Sequence, residues 1–210
     1  MKSGNPIRVL VAEDHLIARV GITTILNAQP DITVVAEASN GQQAVELYQA
    51  SRPDVGLLDV RMPVLSGIEA VAMIRLAFAD ARLICLSTYG GDDDIRRALQ
   101  AGAASYLTKD VLHDDLLKAV RAVAAGQRYL PPQILAAIQT VTPGPALSAR
   151  EHEVLELIVK GLANKQIAYV LSIAEHTVKN HVKSILDKLS VEDRTQAATA
   201  AIQRGIVHLP

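Results

Sequence analysis

Ile7-Arg8-Val9-Leu10-Val11-Ala12-Glu13-Asp14 decides how the chain begins to fold. A short run that is almost wholly apolar stops abruptly at two carboxylates. That length and composition suit a strand buried on both faces, the kind found in parallel sheets. Four more short apolar runs follow, at 32–37, 55–58, 83–86 and 103–107. Amphipathic helical patterns separate them, at 16–28, 41–51, 67–78, 93–101 and 113–125. Strand and helix alternating five times predict an α/β doubly wound sheet of five parallel strands with helices on both faces.

In the flavodoxin-like strand order 2-1-3-4-5, strands one and three are neighbours. Their carboxyl ends form the switch point where such sheets bind ligands. Glu13 and Asp14 end the first strand and Asp59 ends the third, so three acids meet in one crevice. Clustered carboxylates repel one another unless a cation intervenes, and a hard oxygen-seeking dication, Mg²⁺, answers that need. Ser87 ends strand four and can donate a hydrogen bond to a phosphoryl oxygen; Lys109 ends strand five and offers a point charge to the same oxygens. His15 reads as an ordinary residue at a helix start.

After the fifth helix the pattern changes. Gly126 ends that helix, Pro131-Pro132 starts a short one, and Pro143-Gly144-Pro145 forbids regular structure. These features predict a domain over 1–126, a linker with a short helix over 127–146, and a small all-α domain over 147–210. Ser148 with Glu151 forms a capping box before an apolar stripe, and Gly161 ends that helix. Asn164 is placed to cap a short helix, Leu171-Ser172-Ile173 makes a tight turn, and a longer helix runs over 175–189. Its Val178, Val182, Ile185, Leu186 and Leu189 fall in one stripe about 100° wide. His176, Lys179, Asn180, Lys183 and Asp187 face the other way. Such a face is either plain solvated surface or a reader of the major groove, which accepts an α-helix. Ala197, Ala198, Ala200, Ala201 and Ile202 make the last helix a candidate dimer surface, with packing inside the domain as the alternative.

Composition narrows the classes. No run of about 18 or more apolar residues occurs, so no membrane span is expected. The N-terminus lacks a signal-peptide pattern and Cys85 is the only cysteine, so a cytoplasmic protein without disulfides is expected. Residues 1–146 carry 13 basic and 15 acidic side chains, and residues 147–210 carry 8 and 7. That asymmetry is too small to argue for nucleic acid by itself. A flavin carrier is disfavoured: three acids would repel the flavin phosphate, no glycine-rich loop follows the first strand, and Trp is absent.

Val11-Ala12-Glu13-Asp14-His15, Leu57-Leu58-Asp59-Val60-Arg61-Met62-Pro63 and Tyr106-Leu107-Thr108-Lys109-Asp110 resemble the signature segments of receiver domains of bacterial two-component systems. The resemblance implies that Asp59 accepts a phosphoryl group from a sensor histidine kinase. It implies Mg²⁺ held by Glu13, Asp14, Asp59 and the backbone carbonyl of Arg61. Ser87, with Thr88 beside it, and Lys109 would contact the phosphoryl group, and Tyr106 would be the switch aromatic. Glu13 stands where Asp is frequent, and its longer arm suits a water-mediated metal contact.

Leu147-Ser148-Ala149-Arg150-Glu151, Gly161-Leu162-Ala163-Asn164-Lys165-Gln166-Ile167-Ala168 and Thr177-Val178-Lys179-Asn180-His181-Val182 are similar to the LuxR-type helix-turn-helix. Together the two halves resemble response regulators of the NarL/FixJ class. That resemblance implies a transcription regulator that binds double-stranded DNA through Thr177, Lys179, Asn180 and Lys183. It also implies a homodimer when phosphorylated, RNA polymerase as a candidate further partner, and no enzyme activity beyond slow self-catalysed loss of the phosphoryl group. Ala174 departs from the family, where Ser usually caps the reader helix.

Overall fold

The computed structural model describes residues 5–88, 91–109, 112–140 and 147–207. Pro143-Gly144-Pro145 and Asp110 lie outside the described residues. Two compact units make up the chain: Met1–Gly90 with Ile95–Ala136, and Gly91–Asp94 with Ala137–Pro210.

In the first unit the strands are β1 (Ile7–Ala12), β2 (Ile32–Ala38), β3 (Val55–Asp59), β4 (Leu83–Ser87) and β5 (Ser105–Thr108). All neighbours are parallel, in the order β2-β1-β3-β4-β5. The predicted fold class and strand order hold. β3, β4 and β5 are buried along their whole length, which is why β3 and β4 run apolar without alternation up to Asp59 and Ser87; β5, Ser105-Tyr106-Leu107-Thr108, buries two hydroxyl residues as well.

The helices are α1 (Leu16–Asn27), α2 (Gly41–Ser51), α3 (Gly67–Ala77), α4 (Asp92–Ala101) and α5 (Leu112–Ala124). On one face Val9, Val11, Val55, Leu57, Ile84, Leu86 and Leu107 pack with Ile22 and Leu26 of α1 and Leu116, Val120 and Val123 of α5. α2 and α3 pack against the sheet from the other side. β5 starts at Ser105 rather than at residue 103. Ala103 accepts no strand partner but caps the turn after α4, its N–H donating to Ala98 O at 3.0 Å. α6 (Pro132–Thr140) then carries the chain onward.

The second unit is helical: α7 (Ala149–Val159), α8 (Asn164–Leu171), α9 (Glu175–Leu189) and α10 (Arg194–Gln203). Val154, Leu155, Ile158, Ile167, Val178, Ile185, Leu189, Ala197 and Ala201 form its core. Both ends of α7 follow the sequence. Ser148 and Glu151 bond reciprocally, and Gly161 takes φ +83 beyond the last turn. α8 and α9 are joined by Ser172 in the left-handed region (φ 52), with Ile173 N–H closing on Ala168 O at 3.0 Å. One expectation fails here. Asn164 does not cap α8 but is its first residue. Ala163 holds the cap position, and its N–H donates to Gln166 Oε1 at 2.7 Å. Asn164 Oδ1 instead accepts from Arg194 at 3.1 Å. Among the described residues no helix is long and apolar enough to cross a membrane.

Candidate functional site

The end of β3 is fixed by a close backbone approach. A Cβ on Gly67 would lie 1.9 Å from Asp59 O, so only glycine lets α3 start there. Asp59 is thereby held at the carboxyl edge beside β1, whose Ala12 pairs with Leu58. Glu13 and Asp14 follow directly. Glu13 is fully buried, Asp59 nearly so, and Asp14 is partly open.

Lys109, just past β5, reaches both buried acids. Its Nζ stands 2.7 Å from Glu13 Oε2 and 2.9 Å from Asp59 Oδ2. The Arg61 backbone N–H donates to Asp59 Oδ1 at 3.3 Å. Burial pushes the Asp59 carboxyl up to about 6; Lys109 opposes the rise, and the Glu13 charge adds to it. For Lys109, burial works against the ammonium, but the two carboxylates outweigh it and its pKa is raised.

Ser87 is fully buried at the end of β4. It pairs with Thr108, one residue before Lys109, while its neighbour Leu86 pairs with Asp59. Thr88 is exposed. Tyr106 is fully buried on β5. Of the residues singled out in this half, Glu13, Asp14, Asp59 and Lys109 meet in one crevice, and Ser87 flanks it through strand register.

The donors suit a hard dication. Three carboxylates face one ammonium, leaving negative charge to be balanced. One ligand atom from each of Glu13, Asp14, His15 and Asp59 lies within 4.8 Å of the others. His15 was not anticipated there. Its Nδ1 is 2.9 Å from Asp14 Oδ1 and 3.3 Å from Glu13 Oε1. Its place directly after two acids at a strand end was the only sequence signal.

In the second unit α9 buries Val178, Ile185 and Leu189 and packs Val182 and Leu186 against the same core. Lys179, Asn180 and Lys183 are exposed on the opposite side; Thr177 is half-buried. Lys179 is paired with Glu175 at 3.3 Å. α9 starts at Ala174, which has extended cap geometry (φ −71, ψ 146) but no side-chain cap bond.

A buried network ties α9 to α7. Glu151 accepts from the Ser148 backbone N–H at 2.6 Å, Ser184 Oγ at 2.6 Å and Lys188 Nζ at 2.7 Å. Burial alone would raise its pKa, but these donors hold it down at about 2. The sequence revealed only the capping half of this role.

Residues 9–121 match the family model for the response regulator receiver domain, and residues 145–201 match that for bacterial regulatory proteins of the luxR family. The nitrate/nitrite response regulator protein NarL of Escherichia coli (strain K12) is 38% identical over 98% of this chain and all of its own. Response regulator ChrA of a heme-sensing two-component system is 40% identical, with a TM-score of 0.58 over 97% of this chain and all of that one. RcsB from Salmonella enterica serovar Typhimurium, solved bound to promoter P1flhDC with the phosphomimetic BeF3−, is 25% identical. Its TM-score is 0.71, over 95% of this chain and 99% of that one.

Proposed function

The chain belongs to the response regulators that join a receiver domain to a LuxR-type DNA-binding domain, and from that premise we propose how its residues divide the work. Asp59 is the phosphoacceptor. Its carboxylate oxygen attacks the phosphorus of a phosphohistidine on a sensor histidine kinase. The new P–O bond gives an acyl phosphate as the P–N bond breaks, and the imidazole leaves with that electron pair and takes up a proton. Lys109, already 2.9 Å from Asp59, turns its ammonium to the phosphoryl oxygens, and Ser87, with Thr88 at its side, donates a hydrogen bond to one of them. Glu13, Asp14, Asp59 and the Arg61 carbonyl would hold Mg²⁺, which when bound offsets the charge of the incoming phosphoryl group. The acyl phosphate is lost slowly by hydrolysis at the same site; the chain has no other enzymatic role.

Phosphorylation then shifts a two-state equilibrium through Ser87 and Tyr106 toward the face of α4 and β5. The shifted state dimerises, and two copies of α9 enter successive major grooves. Lys179, Asn180 and Lys183 meet base edges or phosphates, with Thr177 at the helix start. A regulator so bound in the cytoplasm, at a promoter, is placed to meet RNA polymerase. The shared contact of Lys109 with two buried acids at neighbouring strand ends carries this reading.

Incubation with acetyl phosphate and Mg²⁺ tests it. Intact mass should rise by one phosphoryl group in the wild type and not in Asp59→Asn, and the treated wild type should bind DNA more tightly. A wild type that gains no mass would make the first domain an interaction module that works without phosphate.

A further inference from the structure

We propose that His15 supplies a nitrogen ligand to the acidic crevice, so that the site takes a first-row transition-metal dication more tightly than Mg²⁺. The inference rests on reading that crevice as a cation site.

Ligands about 2.1 Å from an octahedral dication stand about 3 Å apart when adjacent and about 4 Å apart across the ion. One ligand atom each from Glu13, Asp14, His15 and Asp59 fits within 4.8 Å of all the rest. All four are therefore within small side-chain adjustments of a single coordination shell.

Among the described residues the imidazole's polar contacts are to the acids of the crevice, Glu13 and Asp14. His15 occupies the N-cap position of α1 with extended backbone (φ −79, ψ 112), yet its side chain caps nothing. The ring is 76% exposed, so turning it toward an ion meets little packing resistance. Its Nδ1 already lies against Asp14 and Glu13.

Donor chemistry then separates the ions. Mg²⁺ seeks oxygen and keeps several waters, so an imidazole adds little to its binding. Co²⁺, Ni²⁺ and Zn²⁺ favour mixed nitrogen and oxygen donors, and their affinity exceeds that of the hard ions at such a site. Ions of this class would therefore compete with Mg²⁺ at the carboxylate that receives the phosphoryl group, making the regulator responsive to their concentration.

Calorimetric titration of the full chain with Co²⁺ and, separately, Mg²⁺ tests this, at one pH above the usual histidine range. The visible absorption of Co²⁺ reports nitrogen ligation independently. Wild type should bind Co²⁺ at least about tenfold more tightly than Mg²⁺, and His15→Ala should erase most of that margin while Mg²⁺ affinity stays within about twofold. Asp14→Asn should weaken both ions. If Mg²⁺ binding needs Asp14 but Co²⁺ is indifferent to His15, this inference alone is overturned. A Co²⁺ site that needs His15 but not Asp14 overturns it too, because that ion sits outside the crevice. Mg²⁺ binding that survives Asp14→Asn removes the cation reading of the crevice, and the inference with it.

Discussion

Lys109 Nζ stands 2.9 Å from Asp59 Oδ2 while also lying 2.7 Å from Glu13 Oε2, so one ammonium serves two buried carboxylates from neighbouring strands. Truncating it leaves both acids buried without their cation. Breaking a buried pair from one side costs about 3–5 kcal/mol. Lys109→Ala should therefore lower the denaturation midpoint of the first domain strongly in a chelator. Mg²⁺ should restore part of the loss, because it balances the same charge. A midpoint unchanged in chelator would show that water already screens the two acids.

The pH dependence of Asp59 follows from its raised pKa. Its ordinary value is 3.8, and burial lifts it to about 6 in the folded chain. The folded state thus holds the proton longer than the unfolded one. The resulting stability is complete below pH 3.8 and is lost as pH rises through about 6. Asp59→Asn carries no such charge. It should be more stable than wild type by on the order of 1–3 kcal/mol at pH 8 without Mg²⁺, and the gap should close near pH 4. Thermal unfolding across that range decides it; a gap that is constant with pH contradicts the assignment.

Much of this was legible in the sequence because burial leaves a pattern. β3 and β4 are apolar throughout since both their faces are covered, and the polar residues that break the pattern, Asp59 and Ser87, stand at the carboxyl edge. What was not legible depends on partners far away in the chain. Glu151 meets Ser184 and Lys188 across more than thirty positions, and a helical stripe shows only that these residues lie on α9, not which acid they reach. Asn164 misled for a related reason: a good capping residue yields when Gln166 covers the free N–H and Arg194 claims the amide oxygen.

Glu151 should make the DNA-binding domain sensitive to strong acid. Its ordinary pKa of 4.5 falls to about 2 in the fold: burial pushes it up, but Lys188, Ser184 and Ser148 outweigh burial. The stability it adds is present above pH 4.5 and is lost as pH falls toward about 2. Glu151→Ala removes it at neutral pH and takes the shared carboxylate away from Lys188 and Ser184, so a loss of about 2–4 kcal/mol is expected. Looser seating of α9 should also weaken DNA binding. Urea unfolding at pH 7 and pH 3 checks both parts: the variant should lose less on acidification than the wild type.

Ala174 offers the converse experiment. Its backbone already has cap geometry, and Thr177 N–H, three residues on, lies 3.0 Å from Ala174 O. A serine hydroxyl there can accept from the N–H of His176 or share that of Thr177. Ala174→Ser should add about 1 kcal/mol to the stability of the second domain. If a firmer start of α9 helps it read DNA, affinity should rise together with the melting temperature. Greater stability without tighter binding would separate the cap from recognition.

Lys183 gives the most direct test of the DNA face. It is exposed on the side of α9 opposite Val178, Ile185 and Leu189, so the domain core does not need it. Lys183→Ala should melt like the wild type. A lysine that contacts a phosphate releases about one counterion, so the slope of log affinity against log salt should fall by about one unit. The loss should be similar on specific and unrelated sequences, since phosphates carry no base information. Lys179, already paired with Glu175, differs: if it reads a base edge, Lys179→Ala should relax preference at one position while changing the salt slope less. Fluorescence anisotropy between about 50 and 200 mM salt separates the two roles. An affinity for Lys183→Ala equal to wild type at every salt concentration would place the DNA contact elsewhere on the domain.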